Sequence, residues 1–176
     1  MKIGNEEKVF LYIETLKHLT NLNRASEIKA GLILSFYGLL LGVVFQYLTQ
    51  IVSQIGAKYL FTGFLILWLF LIAISIYWSF RCFMPHIEGK YKKNIFFFHD
   101  AITQYGDIEN YTLEFDRITC HEETLYDQLG QQIYIHSKIV AQKIRDVNKS
   151  VKYLAFSFIP LLILLLFTVF ALNVDL

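Results

Sequence analysis

Three long apolar runs constrain the fold of this chain more than any other feature. They cover Ala30 to Leu48, Tyr59 to Phe80 and Leu154 to Leu172, and none of them contains Asp, Glu, Lys or Arg. Each is close to the roughly 20 residues that a helix needs to cross about 30 Å of hydrocarbon. A short polar turn separates the first two runs. The sequence therefore predicts an integral membrane protein with a helical hairpin and a third, terminal span.

Basic side chains beside the spans predict the orientation of the chain. Cytosolic flanks of membrane helices carry an excess of Lys and Arg. Here that excess precedes span one, follows span two and precedes span three, whereas the turn carries only Lys58. We therefore expect the N-terminus and the middle segment in the cytosol, with the turn and the C-terminus outside. We also expect span one to direct insertion, since no signal-peptide pattern precedes it.

Helical periodicity predicts how the spans continue outside the membrane. Apolar residues recur every three or four positions from Glu6 to Lys29, and again from about Thr119 into span three. We predict that both stretches run as helices straight into the membrane, and that Asn94 to Tyr105 forms a short helix between them. The predicted fold is all-α: three transmembrane helices, two of which extend into a cytosolic helical bundle, assembled as a symmetric oligomer.

The domain organisation follows from the same boundaries. Pro85 ends the hairpin, because proline cannot continue a helix without losing a backbone hydrogen bond. The predicted segments are a cytosolic amphipathic helix over residues 1–29, a transmembrane hairpin over 30–83, a cytosolic helical segment over 84–152, and the third span with an external C-terminus over 153–176.

Span one carries a stripe of small residues on one face. The stripe consists of Gly31, Ser35, Gly38 and Gly42, at steps of four, three and four, and the last two form a GxxxG pair. Small residues let the backbones of two membrane helices approach closely, which favours association where lipid offers no hydrophobic drive. We predict that this stripe packs against another helix, which is span two, span three or a helix of another copy.

The outer end of span one is polar along one side. Gln46 and Gln50 lie there, and such a face either lines a water-filled exit or is simply wet beyond the hydrocarbon. No span carries a charge at its centre, which removes the usual marker of a proton relay, a voltage sensor or an ion-coupled transporter. A passive pore remains compatible with the sequence. It would need several copies, because three helices of one chain cannot enclose an aqueous path.

Residue types that support catalysis or metal binding are badly placed. His99 and Asp100 are adjacent on a predicted helix, so their side chains point about 100° apart. His121 is not followed by a second His at the HExxH spacing, and GxGxxG and P-loop sequences are missing. We predict that the protein is not an enzyme, that it has no metal or other cofactor, and that its histidines are surface or capping residues. Cys82 and Cys120 are predicted to be ordinary reduced side chains.

Basic side chains gather at the predicted cytosolic mouth from three parts of the chain. The group after the hairpin stands at the predicted start of a helix, where free backbone N–H groups and the helix dipole favour a phosphate. The alternative is that the positive-inside rule and attraction to anionic lipid account for these charges without any ligand. The predicted anion site comprises Lys90, Lys92, Lys93 and Asn94 after the hairpin, with Arg24, Lys29, Lys149 and Lys152 from the other two parts.

Four short patterns occur in a fixed order around the spans. They are Glu27-Ile-Lys29-Ala30 before span one, Pro85 after span two, Asn94-Ile-Phe96-Phe97-Phe98, and Gln132-Ile133-x-x-x-Ser137-x-Ile139-x-x-x-Lys143 before span three. In this order they resemble the transmembrane effectors of the Pycsar bacterial anti-phage systems, over about residues 20 to 157. The chain departs from the family pattern in two places, since the family more often has Asp where Glu27 stands and a basic residue where His86 stands.

The resemblance implies an effector of the bacterial inner membrane that stays silent until a nucleotidyltransferase or cyclase encoded nearby reports infection. A nucleotide, either a cyclic mononucleotide or an oligonucleotide, is then the regulatory ligand, and the activated homo-oligomer permeabilises the membrane and arrests growth. Gln132, Ser137 and Lys143 become candidate contacts of that ligand, although they equally fit polar residues that face the bundle. The alternative function is a membrane scaffold or anchor that forms no channel and binds a cytosolic protein partner through its helical segment.

Overall fold

The computed structural model describes residues 4–55, 59–84 and 93–174, and within these ranges it contains helices and no strand. Three of the helices are long and apolar enough to cross a membrane. The predicted all-α fold with three membrane helices is therefore confirmed. The helices are α1 (Asn5–Ile55), α2 (Tyr59–Phe83), α3 (Phe98–Thr103), α4 (Ile108–Thr119) and α5 (Glu122–Val174).

The chain divides into two compact units. The membrane unit consists of Ala25–Pro85 and Gln142–Leu176, and the head unit consists of Met1–Arg24 and His86–Ala141. α2 belongs wholly to the membrane unit, whereas α3 and α4 belong to the head unit. α1 and α5 each contribute residues to both units. Each of them is one unbroken helix, as its periodicity predicts.

Side chains from all three long helices fill the interior of the membrane unit. Tyr37 of α1 and Trp68 of α2 are each 1% exposed, and Leu164 of α5 packs in the same cluster. Apolar side chains on the outside are open instead: Leu39 is 75% exposed and Phe70 is 61% exposed. Because exposed apolar surface of this extent is unfavourable in water, this is the surface that hydrocarbon covers.

A small cluster of aromatic and aliphatic side chains holds the head unit together. Ile95, Tyr105 and Ile118 are buried at its centre, and the rings of Tyr105 and Tyr111 meet edge to face at 5.7 Å. Gly106 turns the chain between α3 and α4 with a φ of 77°, a value that glycine adopts without strain. The cluster therefore joins the loop before α3 to α4.

Two details of the head unit differ from the prediction. The first short helix begins at Phe98 instead of Asn94, because the Asn94 side chain accepts a hydrogen bond from the Phe96 N–H at 2.9 Å and holds the chain in a turn. α4 is absent from the prediction, since its sequence is largely polar. It begins at an N-cap, Asp107, whose carboxylate accepts from the Asn110 N–H at 2.7 Å.

Candidate functional site

Four charged side chains form an ionic layer in the membrane unit, at its predicted cytosolic end. The Lys143 ammonium of α5 pairs with the Glu27 carboxylate of α1. Arg81 of α2 places its Nε 3.4 Å from Asp146 Oδ2 of α5. Lys143 is 5% exposed and Asp146 is 3% exposed. α5 thus brings two opposite, buried charges to this level, and each is paired with a different neighbouring helix.

Burial makes the two partners of each pair depend on one another. Leaving a buried charge without its partner costs about 3–5 kcal/mol, because water cannot replace the lost carboxylate or ammonium. Cys82, next to Arg81 in α2, is also fully buried. The ionic layer therefore holds α1, α2 and α5 together as long as both pairs are complete.

Three buried serines form a hydroxyl cluster between α2 and α5. Ser75 and Ser79 of α2 and Ser150 of α5 are each 0% exposed. Ser75 Oγ lies 2.8 Å from the Ser150 carbonyl oxygen, and Ser150 Oγ lies 2.8 Å from the Ser75 carbonyl oxygen. Ser79 Oγ is 2.7 Å from Ser150 Oγ. Because Ser150 follows Asp146 by about one helical turn, the serine cluster continues the ionic layer along the same face of α5.

The pair between Glu27 and Lys143 joins two of the sequence patterns on which the resemblance depends. The two residues are 116 positions apart in the chain. Lys143 is a predicted ligand contact, and the structure places it in a buried pair instead of on an open surface. Its companions in the pattern, Gln132 and Ser137, belong to the head unit. A contact between Lys143 and a nucleotide stays a prediction.

Gln132 has a buried polar atom that the chain does not use. The side chain is 6% exposed, and its Nε2 lies 3.0 Å from His136 Nε2. Burial lowers the pKa of His136 below its ordinary value, so a neutral imidazole is available to accept this N–H. Gln132 Oε1 has no hydrogen-bond partner among the described residues. An unpaired buried oxygen costs about 1–3 kcal/mol, which a donor on a bound ligand would recover.

Two backbone donors at the predicted anion site after the hairpin, those of Asn94 and Ile95, are occupied by the chain itself. Asn94 donates its N–H to the Asp100 carboxylate at 3.0 Å, and Ile95 donates its N–H to Gln128 Oε1 at 3.0 Å. Asn94 also donates from its side chain to the Gln128 carbonyl oxygen at 2.8 Å. A phosphate would have to displace these acceptors, and α3, with six residues, adds little helix dipole.

The other charges of the predicted mouth that the structure describes lie on the surface. Lys93 Nζ lies 3.6 Å from the centre of the Tyr105 ring, a cation–π contact within the head unit. Assembly of these charges around one ligand stays a prediction. Exposed members are Arg24, Lys29, Lys93, Lys149 and Lys152, while Lys90, Lys92 and the family position His86 lie outside the described residues.

The stripe of small residues on span one is open along the GxxxG pair. A methyl group added at Gly38 or Gly42 would meet no described atom within 4 Å. At Gly31 it would meet the Phe83 ring at 4.0 Å. The space beside Gly38 and Gly42 is therefore not filled by a described residue of span two or span three. Of the three predicted partners, a helix of another copy is the one that could fit there. Exposed positions along this side are Ser35, Gly38, Gly42 and Gln46, and the Gln50 side chain lies outside the described part.

Histidines and cysteines are scattered in the parts of the chain that the structure describes. These parts contain no group of three His, Cys, Asp or Glu side chains that could hold a metal ion. His121 Nδ1 lies 2.8 Å from the Arg117 carbonyl oxygen at the end of α4, and His99 is exposed. These two histidines occupy capping and surface positions, as predicted, whereas His136 is half-buried against Gln132 and departs from that prediction. Cys82 and Cys120 are both free thiols.

Comparisons with known proteins agree with the resemblance. A family model, PycTM, described as the Pycsar effector protein domain, matches residues 10–171, which covers nearly the whole chain. Searches of curated proteins and of solved structures each found no match.

Proposed function

This chain belongs to the Pycsar effector family, and from that membership we propose that it forms a nucleotide-controlled pore in the bacterial inner membrane. The family places it in cyclic-nucleotide anti-phage defence, downstream of the enzyme that makes the signal. In this proposal a cyclase or nucleotidyltransferase encoded nearby makes the nucleotide upon infection. The nucleotide changes the state of a homo-oligomer, and the permeabilised cell stops growing before phage is released.

The observation that carries the pore is the contrast between the two sides of span one. Its inner side contributes Tyr37 to a filled core in which Trp68 is also 1% exposed, so this core offers no water path through one chain. Its other side presents Gly38 and Gly42 without a described neighbour, with Gln46 exposed further along. Small residues favour close helix contacts between chains, and a path for ions would run between copies that meet there.

A ligand site in the head unit fits the control of this pore. Gln132 keeps a buried oxygen without a described partner, and the half-buried Ser137 lies five positions further along α5. A nucleotide carries hydrogen-bond donors for the Gln132 oxygen, whereas Ser137 lies about 140° further round the helix and therefore on another face. Because α5 is one unbroken helix from Glu122 to Val174, these residues and span three share one helix. A nucleotide that binds one arrangement of α5 better than another shifts the population towards it.

Leakage from liposomes tests the proposal directly. Purified protein is reconstituted into liposomes loaded with a fluorescent dye, and leakage is followed with and without a panel of cyclic mononucleotides and cyclic oligonucleotides. We expect one nucleotide class to change leakage, either upwards or downwards. Protein that is inserted and oligomeric but never leaks with any nucleotide would contradict the pore.

The small-residue stripe predicts which variant removes the pore. We expect Gly38→Leu with Gly42→Leu to lower nucleotide-dependent leakage about tenfold or more, since a loss of 1.4 kcal/mol in helix association changes an equilibrium tenfold. Gly63→Leu is the matched control, because Gly63 also lies in a span and also has no described atom within 4 Å of an added methyl group. An oligomeric and fully active Gly38/Gly42 variant would remove the stripe from the proposal.

One observation favours the scaffold as the second candidate function. The head unit exposes large apolar side chains, with Ile102 at 75%, Ile108 at 80% and Leu113 at 71%, and such surfaces often bind partners. The scaffold predicts that liposomes carrying the protein do not leak with any nucleotide, and that Ile108→Lys with Leu113→Lys abolishes growth arrest. The pore predicts that growth arrest follows leakage in every variant.

A further inference from the structure

A cluster in the membrane unit, which includes Lys149 of the predicted anion site, brings two cations to one aromatic ring. Lys149 Nζ of α5 lies 3.9 Å from the centre of the Trp78 ring of α2, and Arg81 Cζ of α2 lies 5.1 Å from the same centre. Because both distances are measured to the same ring centre, Lys149 Nζ and Arg81 Cζ are at most 9.0 Å apart. Two helices thus converge on a single indole with charges of the same sign.

The local charges do not cancel. Asp146 lies 3.4 Å from Arg81, but its Oδ2 accepts no hydrogen bond from the described residues, and it is buried on the inner side. The Arg81 side chain is 44% exposed and Lys149 is exposed. Asp146 is paired with Arg81, whereas the contact of Lys149 is with the Trp78 ring, and both cations are open to the surroundings. The positive charge beside the indole favours the binding of an anion by Arg81 and Lys149.

The position of the cluster along α2 identifies the surroundings of this anion. Trp78 and the 57% exposed Tyr77 stand just before the apolar run ends at Phe80, and the two rings meet at 5.4 Å. Tryptophan and tyrosine at the end of a span sit at the level of the lipid headgroups. Basic pockets between membrane helices on the cytosolic side bind anionic headgroups. Phe80 is itself 55% exposed and offers an apolar surface to an acyl chain.

We propose that Arg81, Lys149 and Trp78 form a binding site for the headgroup phosphate of an anionic phospholipid. The guanidinium and the ammonium each donate to the phosphate oxygens, and the indole packs against the glycerol part of the headgroup. The positive-inside rule explains why Lys and Arg lie on this side of the membrane, but it does not require two of them to meet on one ring. The site does not depend on the nucleotide or on pore formation.

Native mass spectrometry of the full-length protein in detergent tests the site. The protein is mixed with equal amounts of phosphatidylglycerol and phosphatidylcholine, and the lipid adducts are counted. We expect phosphatidylglycerol to be preferred, and Lys149→Gln to lower that preference about fivefold, since each basic side chain near an anionic headgroup contributes about 1 kcal/mol. This variant leaves the Arg81–Asp146 pair intact and is expected to fold.

Arg145→Gln is the matched control, because Arg145 is exposed on the same helix near Lys149 and the substitution removes the same charge. Equal losses in the two variants would show a general field of positive charge and overturn the site, as would the absence of any preference in the unaltered protein. Trp78→Leu is expected to lower the preference while keeping every charge. Displacement of the lipid by equimolar inorganic phosphate or a cyclic mononucleotide would assign the cluster to a soluble phosphate and overturn the lipid assignment.

Discussion

The head unit and the membrane unit use polar and apolar contacts in opposite ways. In the head unit, apolar and aromatic side chains form the core, and polar groups such as Asn94 and Asp107 fix loops and helix starts. In the membrane unit, helix-to-helix contacts at the predicted cytosolic end are polar, through the ionic layer and the serine cluster, while many large apolar side chains, Leu39 and Phe70 among them, face outwards.

The difference reflects the solvent of each unit. Water drives apolar surfaces together, so the head unit needs polar groups mainly to satisfy its backbone. Lipid is as apolar as leucine and offers no such drive, so hydrogen bonds, ion pairs and close packing associate the helices. Exchange of a polar side chain for an apolar one should therefore harm the interior of the membrane unit more than polar surface positions of the head unit.

The largest effect is expected at the ionic layer. Glu27→Gln leaves the Lys143 ammonium buried without a carboxylate and should destabilise the protein by about 3 kcal/mol, the lower end of the range because Glu27 is partly exposed. Thermal unfolding in detergent, followed by circular dichroism, measures the loss. Glu27→Asp keeps the charge and should lose much less. A double variant, Glu27→Gln with Lys143→Met, should recover most of the stability; a double variant as unstable as the single one would refute the pairing.

A smaller loss is expected in the serine cluster. Ser150→Ala removes the hydroxyl that Ser75 and Ser79 share and should cost about 1–2 kcal/mol, as for other buried hydrogen bonds between membrane helices. Ser157→Ala is the control, since Ser157 Oγ donates at 2.7 Å to the Leu154 carbonyl oxygen of its own helix. The same unfolding measurement compares them. Equal losses of stability in the Ser150 and Ser157 variants would mean that the serine contacts between α2 and α5 contribute nothing to the free energy of unfolding.

The smallest effect is expected in the head unit and depends on pH. Burial lowers the pKa of His136 below 6.5, so the unfolded chain takes up a proton at a higher pH than the folded chain does. Stability should therefore be constant above pH 6.5 and fall as the pH drops from there to the lowered pKa. Hydrogen exchange of α5 amides around His136 between pH 8 and pH 5 measures this. His136→Gln should flatten this component of the profile, and an unchanged slope would assign the effect to other groups.

The sequence predicts the parts of the fold that depend on hydrophobic pattern. Long runs without charged residues predict the spans, and helical periodicity predicts that α1 and α5 are each continuous across both units. α4 is missed because its residues are mostly polar, although Asp107, an N-cap residue before Ile108, is the signal that could have located it. The start of α3 is misplaced because the Asn94 side chain competes with the helix for a backbone donor.

The candidate site is harder to predict, because its residues meet only through the tertiary fold. Glu27 and Lys143 are both visible in the sequence patterns, but nothing local pairs residues 116 positions apart. Ser75 and Ser79 stand four apart in span two, which is a signal for a shared face. A serine in a membrane helix can also bond to its own backbone, so the spacing does not name Ser150 as the partner.

The serine cluster also determines which helix has freedom to move. Two reciprocal contacts at 2.8 Å tie Ser75 to Ser150, and a slide of one turn, about 5.4 Å, would break both at once. Arg81 and Asp146 link the same two helices one turn away. At this level α1 contacts the other helices through the pair between Glu27 and Lys143 and through apolar packing of Ala30. A movement that keeps the serine contacts therefore displaces α1 against α2 and α5 together, and α1 is the helix that carries the open glycines.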